Sequence, residues 1–201
     1  MEPRAASTVV LVRDSGATDD IETLLLLRNS RLVFEGGAWV FPGGKIEPDD
    51  YPGRHGSGGT HDAEFEAARR AAIRETREEA GITVDAGQFI HISHWTTPLG
   101  PPRRYATWFF VCPFPDRVPV VVDNDEILDH RWLTPRRALA LCETGTIRLP
   151  LPTRKTLVTL SAYRDVRSLC RAMRRADIEV YPPDSAFYVP PGVAGPRQTD
   201  G

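Results

Sequence analysis

Glu75, Glu78 and Glu79 stand at positions i, i+3 and i+4 in the run Arg74-Glu75-Thr76-Arg77-Glu78-Glu79-Ala80-Gly81-Ile82. A helix through them puts all three carboxylates on one face. Each unrelieved like-charged pair at that spacing costs about 0.2–0.5 kcal/mol, so a helix under no other demand would alternate the signs. Carboxylates gathered on one side suit a hard divalent cation such as Mg2+, because such ions take oxygen ligands. The same triplet fits a solvated charged helix relieved by Arg70, Arg74 and Arg77. The surroundings decide between the two.

Upstream, Trp39-Val40-Phe41-Pro42-Gly43-Gly44 reads as a short strand closed by a turn. Taken together, Gly44, Glu66 and residues 74–82 resemble the Nudix box, G-x5-E-x7-R-E-U-x-E-E-x-G-U, where U is aliphatic. From Glu66 to Ile82 the family spacing holds. Thr76 stands at the first U, a mild departure because Thr is β-branched and close to Val in shape. A larger departure lies upstream. The pattern sets its glutamate six positions after the glycine, where Asp50 stands, so matching Glu66 implies sixteen inserted residues within 47–62. Gly, Pro, Asp and Ser dominate that run, which reads as a loop. Loop closure entropy grows slowly with length, so the fold can carry it. Its place beside the expected site predicts a lid or a substrate contact. His55 and His61 are candidate metal ligands there, although loop histidines are more often only solvated.

The resemblance implies hydrolysis of a nucleoside diphosphate linked to another group. It makes Glu75, Glu78 and Glu79 metal ligands, with the carbonyl of Gly44 as a further one, Mg2+ as cofactor and Mn2+ as its substitute. Glu75, Glu78 and Arg74 are the implied catalytic positions; Arg74 matches the residue that fixes a glutamate by a charge-assisted hydrogen bond. Glu66 is the implied orienting residue. A base or extra ligand often comes from outside the box in this family. Asp123-Asn124-Asp125-Glu126, ahead of His130-Arg131-Trp132-Leu133, resembles that arrangement, and Glu126 is the candidate, set against a plain solvated turn. Arg28, Arg31, Arg103 and Arg104 are candidates to clamp phosphate bidentately. Trp95, Tyr105 and Trp108 could stack a base, though strand aromatics are more often core.

His94-Trp95-Thr96-Thr97-Pro98, Arg103-Arg104-Tyr105 and the long insertion look like the branch that includes peroxisomal-type acyl-coenzyme A diphosphatases. The chain ends Gln198-Thr199-Asp200-Gly201, not in a Ser-Lys-Leu signal. Coenzyme A derivatives are therefore the first expected substrates, with ADP-ribose, nucleotide sugars or dinucleotides as alternatives. A rival of another class is a non-catalytic Nudix module that binds a nucleotide to regulate a partner; retention of the glutamates speaks for catalysis.

A chain of 201 residues with a net charge of −2 points to one domain and to no polyanion-binding surface. No nucleic acid polymer and no membrane are expected as partners; a small diphosphate is, and a homodimer is in keeping with many relatives. Cys112, Cys142 and Cys170 are odd in number and widely spaced, which is neither a disulfide framework nor a zinc site. No signal-peptide pattern opens the sequence, and no apolar run is long enough to span a bilayer. A cytoplasmic protein is expected.

The pattern predicts an α/β chain: strands at 7–12, 22–27, 38–41, 89–95, 105–113 and 130–133, and a main helix at 62–80 capped by Asp62 and stopped by Gly81. Ala72, Ile73, Thr76 and Ala80 form its expected buried face. Helices follow at 135–142, 153–162 and 164–176. The Nudix fold implied by the resemblance is an α/β/α sandwich around a mixed β-sheet. One domain over 1–176 is expected, with its core at 7–145 and added helices at 153–176, followed by a Pro/Gly-rich tail over 177–201.

Overall fold

A computed structural model describes residues 2–16, 20–53, 61–101 and 103–186. Strand β1 (Arg4–Asp14) alternates strictly between the two faces of one sheet. Val9 and Leu11 turn to one side, Val10 and Val12 to the other, and all four are fully buried. A strand covered on both faces reads as a continuous apolar run, and Val9-Val10-Leu11-Val12 is one. Strands β2 (Ile21–Arg28) and β6 (Tyr105–Pro113) alternate the same way.

β1 and β2 pair antiparallel only at Val12–Asp14 against Ile21–Thr23. Beyond that they diverge. β2 takes up β3 (Trp39–Val40) and β1 takes up β4 (Gly43–Lys45), so the segment from Trp39 to Lys45 wedges between them. β1 runs parallel to β6, β6 antiparallel to β5 (Ile90–Thr96), and β7 (Ile127–Leu133) antiparallel to β2. The result is an eight-stranded mixed sheet. Helix α1 (His61–Ala80) covers one face through Ala68, Ala72 and Ala80. Helices α2 (Pro135–Glu143), α3 (Leu151–Leu160) and α4 (Val166–Met173) contribute to the core on the other face. This is the α/β/α sandwich that the sequence predicts.

Three details differ from expectation. Helix α1 begins at His61, so Asp62 lies inside its first turn instead of capping it; an acidic side chain there still meets the positive end of the helix dipole favourably. Ile73 is only partly buried, while Ala67 and Ala71 join the buried face. Residues 179–181 were expected in the tail, yet they form β8 (Glu179–Tyr181), parallel to β5 at the sheet edge. Tyr181 stacks on Trp95 with ring centroids 3.6 Å apart. Residues 187–201 of the expected tail lie outside the described residues, as does His55. Gly81 ends α1 with φ +68, the left-handed conformation a helix stop commonly takes. The three cysteines are free thiols. Among the described residues no helix is long and apolar enough to cross a membrane.

A cluster of imidazoles gathers around Trp108, and none of them lines the cleft that the glutamates of α1 face. The β5–β6 register shifts between His91 and Ser93, and His91 and His94 both pack on Trp108, with centroids 4.9 and 5.0 Å from its ring. His61 approaches the same indole at 5.1 Å, and Glu64 accepts the indole N–H at 2.9 Å. Burial pushes the His91 imidazole down to about 4 from 6.5, against a hydrogen bond to the Ser93 backbone that favours its charged form. The unfolded chain therefore binds this proton at a higher pH than the folded one, and folded stability should fall as pH drops from about 6.5 to about 4. His91→Phe fits the apolar surroundings of Phe65 and Phe110 and lacks the proton. Its melting temperature should change less between pH 7.5 and 4.5 than that of wild type; equal changes in thermal melts refute the assignment.

Candidate active site

Helix α1 presents Glu75, Glu78 and Glu79 to the wedge formed by Trp39 to Lys45. Close approach of strand to helix is possible because Gly44 lacks a side chain: a Cβ there would run into the Glu75 carboxylate. The adjacent Gly43 N–H donates to Glu79 Oε2 at 2.9 Å. Glu79 is 3% exposed. Burial pushes its carboxyl up to about 8, only partly countered by the Gly43 N–H and by Arg28, while Glu75 and Glu126 push it further the same way. Burial also raises Glu75, against the pull of Arg74. Thr76, in the aliphatic position of the box, is fully buried, and its hydroxyl donates to the Ala72 carbonyl one turn back at 2.6 Å. A polar side chain is tolerated there because that bond satisfies it.

Arg74 ties the site together. Its Nε and Nη2 grip Asp50 at 3.2 and 2.9 Å, and Nη2 also donates to the Lys45 carbonyl at 2.9 Å. Nη1 donates to Glu75 at 2.9 Å and to Glu78 at 3.1 Å. The Asp50 bond, more than any other contact, raises the guanidinium above its usual range. Asp50 is itself buried and accepts the Glu47 N–H at 2.8 Å. Glu66, read from spacing as the orienting residue, does something else: it is half-exposed and pairs with Arg69 one turn along at 2.7 Å. The carboxylate under Arg74 is therefore Asp50, which stands at the six-residue spacing from Gly44, and the insertion falls after it.

Glu126 reaches the same cleft from the other side. Asp123 Oδ1 accepts the N–H groups of Asp125 and Ile127 at 2.8 and 2.9 Å. Asn29 at the end of β2 holds the Glu126 carbonyl at 2.7 Å and the Asp125 carbonyl at 2.8 Å. The half-exposed carboxylate so pinned lies 3.6 Å from Arg28, which lies 3.6 Å from Glu79.

The cleft has a volume of about 690 Å3, and Glu75, Glu78, Glu79 and Glu126 all line it. So do Arg28, Lys45 and Arg103, and an apolar group comprising Val33, Phe34, Tyr105 and Leu151. Phe34 and Tyr105 meet edge to face at 4.8 Å. Two of the four predicted phosphate clamps are elsewhere. Arg31 is exposed and does not line the cleft. Arg104 spends its Nε on the Thr97 and Pro98 carbonyls, both at 3.1 Å, and so shapes the turn between β5 and β6. Trp95 and Trp108 are core aromatics, each 3% exposed; Trp95 also borders the cleft, and Trp108 does not. From the 47–62 segment, Glu47 lines the cleft, while 54–60 lie outside the described residues.

The donor set suits a hard cation: Glu75, Glu78, Glu79 and Glu126 face one cleft, and the most buried of them, Glu79, is costly to keep charged without a positive partner. Among the described residues no three acidic, imidazole or thiol side chains close around a common point. The glutamates instead turn to arginines, Glu75 and Glu78 to Arg74, Glu79 and Glu126 to Arg28.

Acyl-coenzyme A diphosphatase NUDT19 of Xenopus laevis is 24% identical over 248 residues, covering 81% of this chain and 65% of the relative. Putative nudix hydrolase 7 of Caenorhabditis elegans is 23% identical over 197 residues, covering 81% and 62%. The chain thus spans just under two thirds of the length of these curated relatives. The crystal structure of a NUDIX hydrolase from Alicyclobacillus acidocaldarius superposes with a TM-score of 0.75 at 24% identity, over 90% of this chain and 99% of that one; it shares the fold. A family model described as NUDIX domain matches residues 2–151, the span that carries the carboxylate helix, the glycine wedge and the Glu126 loop, and the chain belongs to that family.

Proposed function

We propose that the protein is a Mg2+-dependent pyrophosphohydrolase that cleaves the diphosphate of coenzyme A or an acyl-coenzyme A. The observation that carries this reading is the composition of the cleft: the carboxylates of Glu75, Glu78, Glu79 and Glu126, with those of Glu35, Glu47 and Asp123, and three cationic side chains share it with an apolar group of Val33, Phe34, Tyr105 and Leu151. Such a cleft suits a substrate that is a polyanion at one point and apolar at another. The name of the Xenopus relative points to the same substrate class.

Glu75, Glu78, Glu79 and Glu126 are the residues that would hold Mg2+, or Mn2+ in its place, and the Gly44 carbonyl is the backbone candidate. Such a bound ion neutralises diphosphate charge and makes a bound water more acidic. Arg74 keeps Glu75 and Glu78 in place through bonds to both. Arg103 and Lys45 offer positive charge to the phosphate oxygens. Glu126, half-exposed on a loop whose backbone is held at both ends, would take the proton of the attacking water. Water adds to one phosphorus, the P–O–P bond breaks, and two phosphate monoesters leave. The three free thiols fit a reducing compartment such as the cytoplasm.

The test is a phosphate-ester release assay with Mg2+ across coenzyme A, an acyl-coenzyme A, ADP-ribose, a nucleotide sugar and a dinucleoside polyphosphate. The highest kcat/KM is expected for the coenzyme A compounds. A higher value for ADP-ribose or a dinucleotide overturns the substrate assignment. No turnover of any compound, with binding retained, favours a ligand-binding regulator.

A further inference from the structure

Arg28 closes β2 at an irregularity in its pairing with β7: Leu27 faces Asp129, whereas Arg28 faces Ile127. Bulges of this kind re-aim side chains and occur often beside active sites. The backbone is fixed on the opposite side. Arg28 N–H donates to the Ala38 carbonyl at 2.9 Å, and its own carbonyl accepts Gly37 N–H at 3.0 Å. Movement at this position therefore belongs to the side chain.

The two arginines that face the glutamates of the site are held differently. Arg74 makes bonds of 2.9–3.2 Å to Asp50, Glu75, Glu78 and the Lys45 carbonyl. The Arg28 guanidinium lies 3.6 Å from Glu79 and 3.6 Å from Glu126, ion pairs too long to be hydrogen bonds. Its Nε is buried and has no acceptor among the described residues, and a buried donor without a partner is costly. Arg28 is thus a charge in reach of two carboxylates but bonded to neither.

We propose that Arg28 is an exchangeable counter-cation of this site: it competes with the divalent cation for Glu79 and Glu126 and, once displaced, carries its charge to the diphosphate of the substrate. The proposal rests on the metal-dependent reading given above. A doubly charged ion sharing Glu79 and Glu126 with a guanidinium this close meets strong repulsion, because Arg28 and Glu79 are largely shielded from water. The fork of an arginine matches a phosphate group bidentately, and Arg28 lines the same cleft as Arg103 and Lys45. Cation and diphosphate then favour each other's binding, because the diphosphate stabilises the displaced arginine.

The experiment measures Mn2+ binding to the full chain by electron paramagnetic resonance and calorimetry, with and without α,β-methylene-ADP as a diphosphate that resists hydrolysis. Wild type should bind Mn2+ weakly alone and more tightly with the methylene diphosphate. Arg28→Met should bind Mn2+ alone about tenfold more tightly than wild type and lose most of the tightening. Arg28→Lys, which keeps the charge without the fork, should keep the weak affinity and show a reduced tightening; it remains informative if Arg28→Met does not fold, which circular dichroism decides. Mn2+ affinity in folded Arg28→Met equal to or weaker than wild type, or full tightening in Arg28→Lys, overturns the exchange and leaves the metal-dependent reading standing. No Mn2+ binding by wild type or either variant overturns both.

Discussion

Glu79→Gln is expected to lower turnover at least about a hundredfold at saturating Mg2+, on the scale of several kcal/mol of metal-assisted stabilisation. Gln keeps the shape and an oxygen to accept the Gly43 N–H, so the wedge between β1 and β2 stays closed over α1. What it loses is a charge in the most buried position of the carboxylate set. Burial disfavours that charge and pushes the carboxyl up to about 8, and the Gly43 N–H and Arg28 only partly offset it, so the packing does not depend on the charge. The melting temperature in EDTA should accordingly be no lower than that of wild type. A variant that loses turnover while keeping or gaining stability is the mark of a residue retained for chemistry at the expense of the fold. Near-wild-type kcat in Glu79→Gln at saturating Mg2+ would remove Glu79 from the metal set; lost activity together with a collapsed melting curve would make it structural.

The parts of this protein that could be read from its sequence are those set by local periodicity. The two-residue alternation of β1, β2 and β6 and the carboxylate face of α1 are properties of contiguous residues, and the structure places them as that periodicity implies. Strand β8 was not legible, because three residues followed by Pro182 and Pro183 carry no pattern of their own. It exists because the edge of β5 offers a ladder and Trp95 offers a ring to Tyr181. Arginines were the weakest signal. Arg28, Arg31, Arg103 and Arg104 all flank the right turns, yet position along the chain does not say which way a long side chain points. Arg104 serves the backbone of its own turn, while Arg28, at the pairing irregularity that ends β2, reaches across to Glu79.

The two counts through the Nudix box diverge at the insertion, and they make opposite mutational predictions. Counting forward from Gly44 selects Asp50; counting back from Arg74 selects Glu66. In the structure Asp50 is buried and engages two nitrogens of Arg74, whereas Glu66 is half-exposed and meets Arg69 on the same helix. Asp50→Ala leaves a partly buried guanidinium with its main partner gone and the Glu47 N–H without its acceptor. Breaking a buried pair from one side costs about 3–5 kcal/mol. Arg74 keeps some solvent contact and its bonds to Glu75 and Glu78, so about 2–3 kcal/mol is expected here, or roughly 5–10 °C in melting temperature for a domain of this size. Turnover should fall at least about tenfold, because Arg74 also positions Glu75 and Glu78. Glu66→Ala removes an exposed pair worth about 0.5 kcal/mol or less and should leave turnover within about twofold of wild type. Thermal melts and kcat for both variants decide the matter. A damaging Glu66→Ala beside a silent Asp50→Ala would return the orienting role to Glu66 and place the insertion before it.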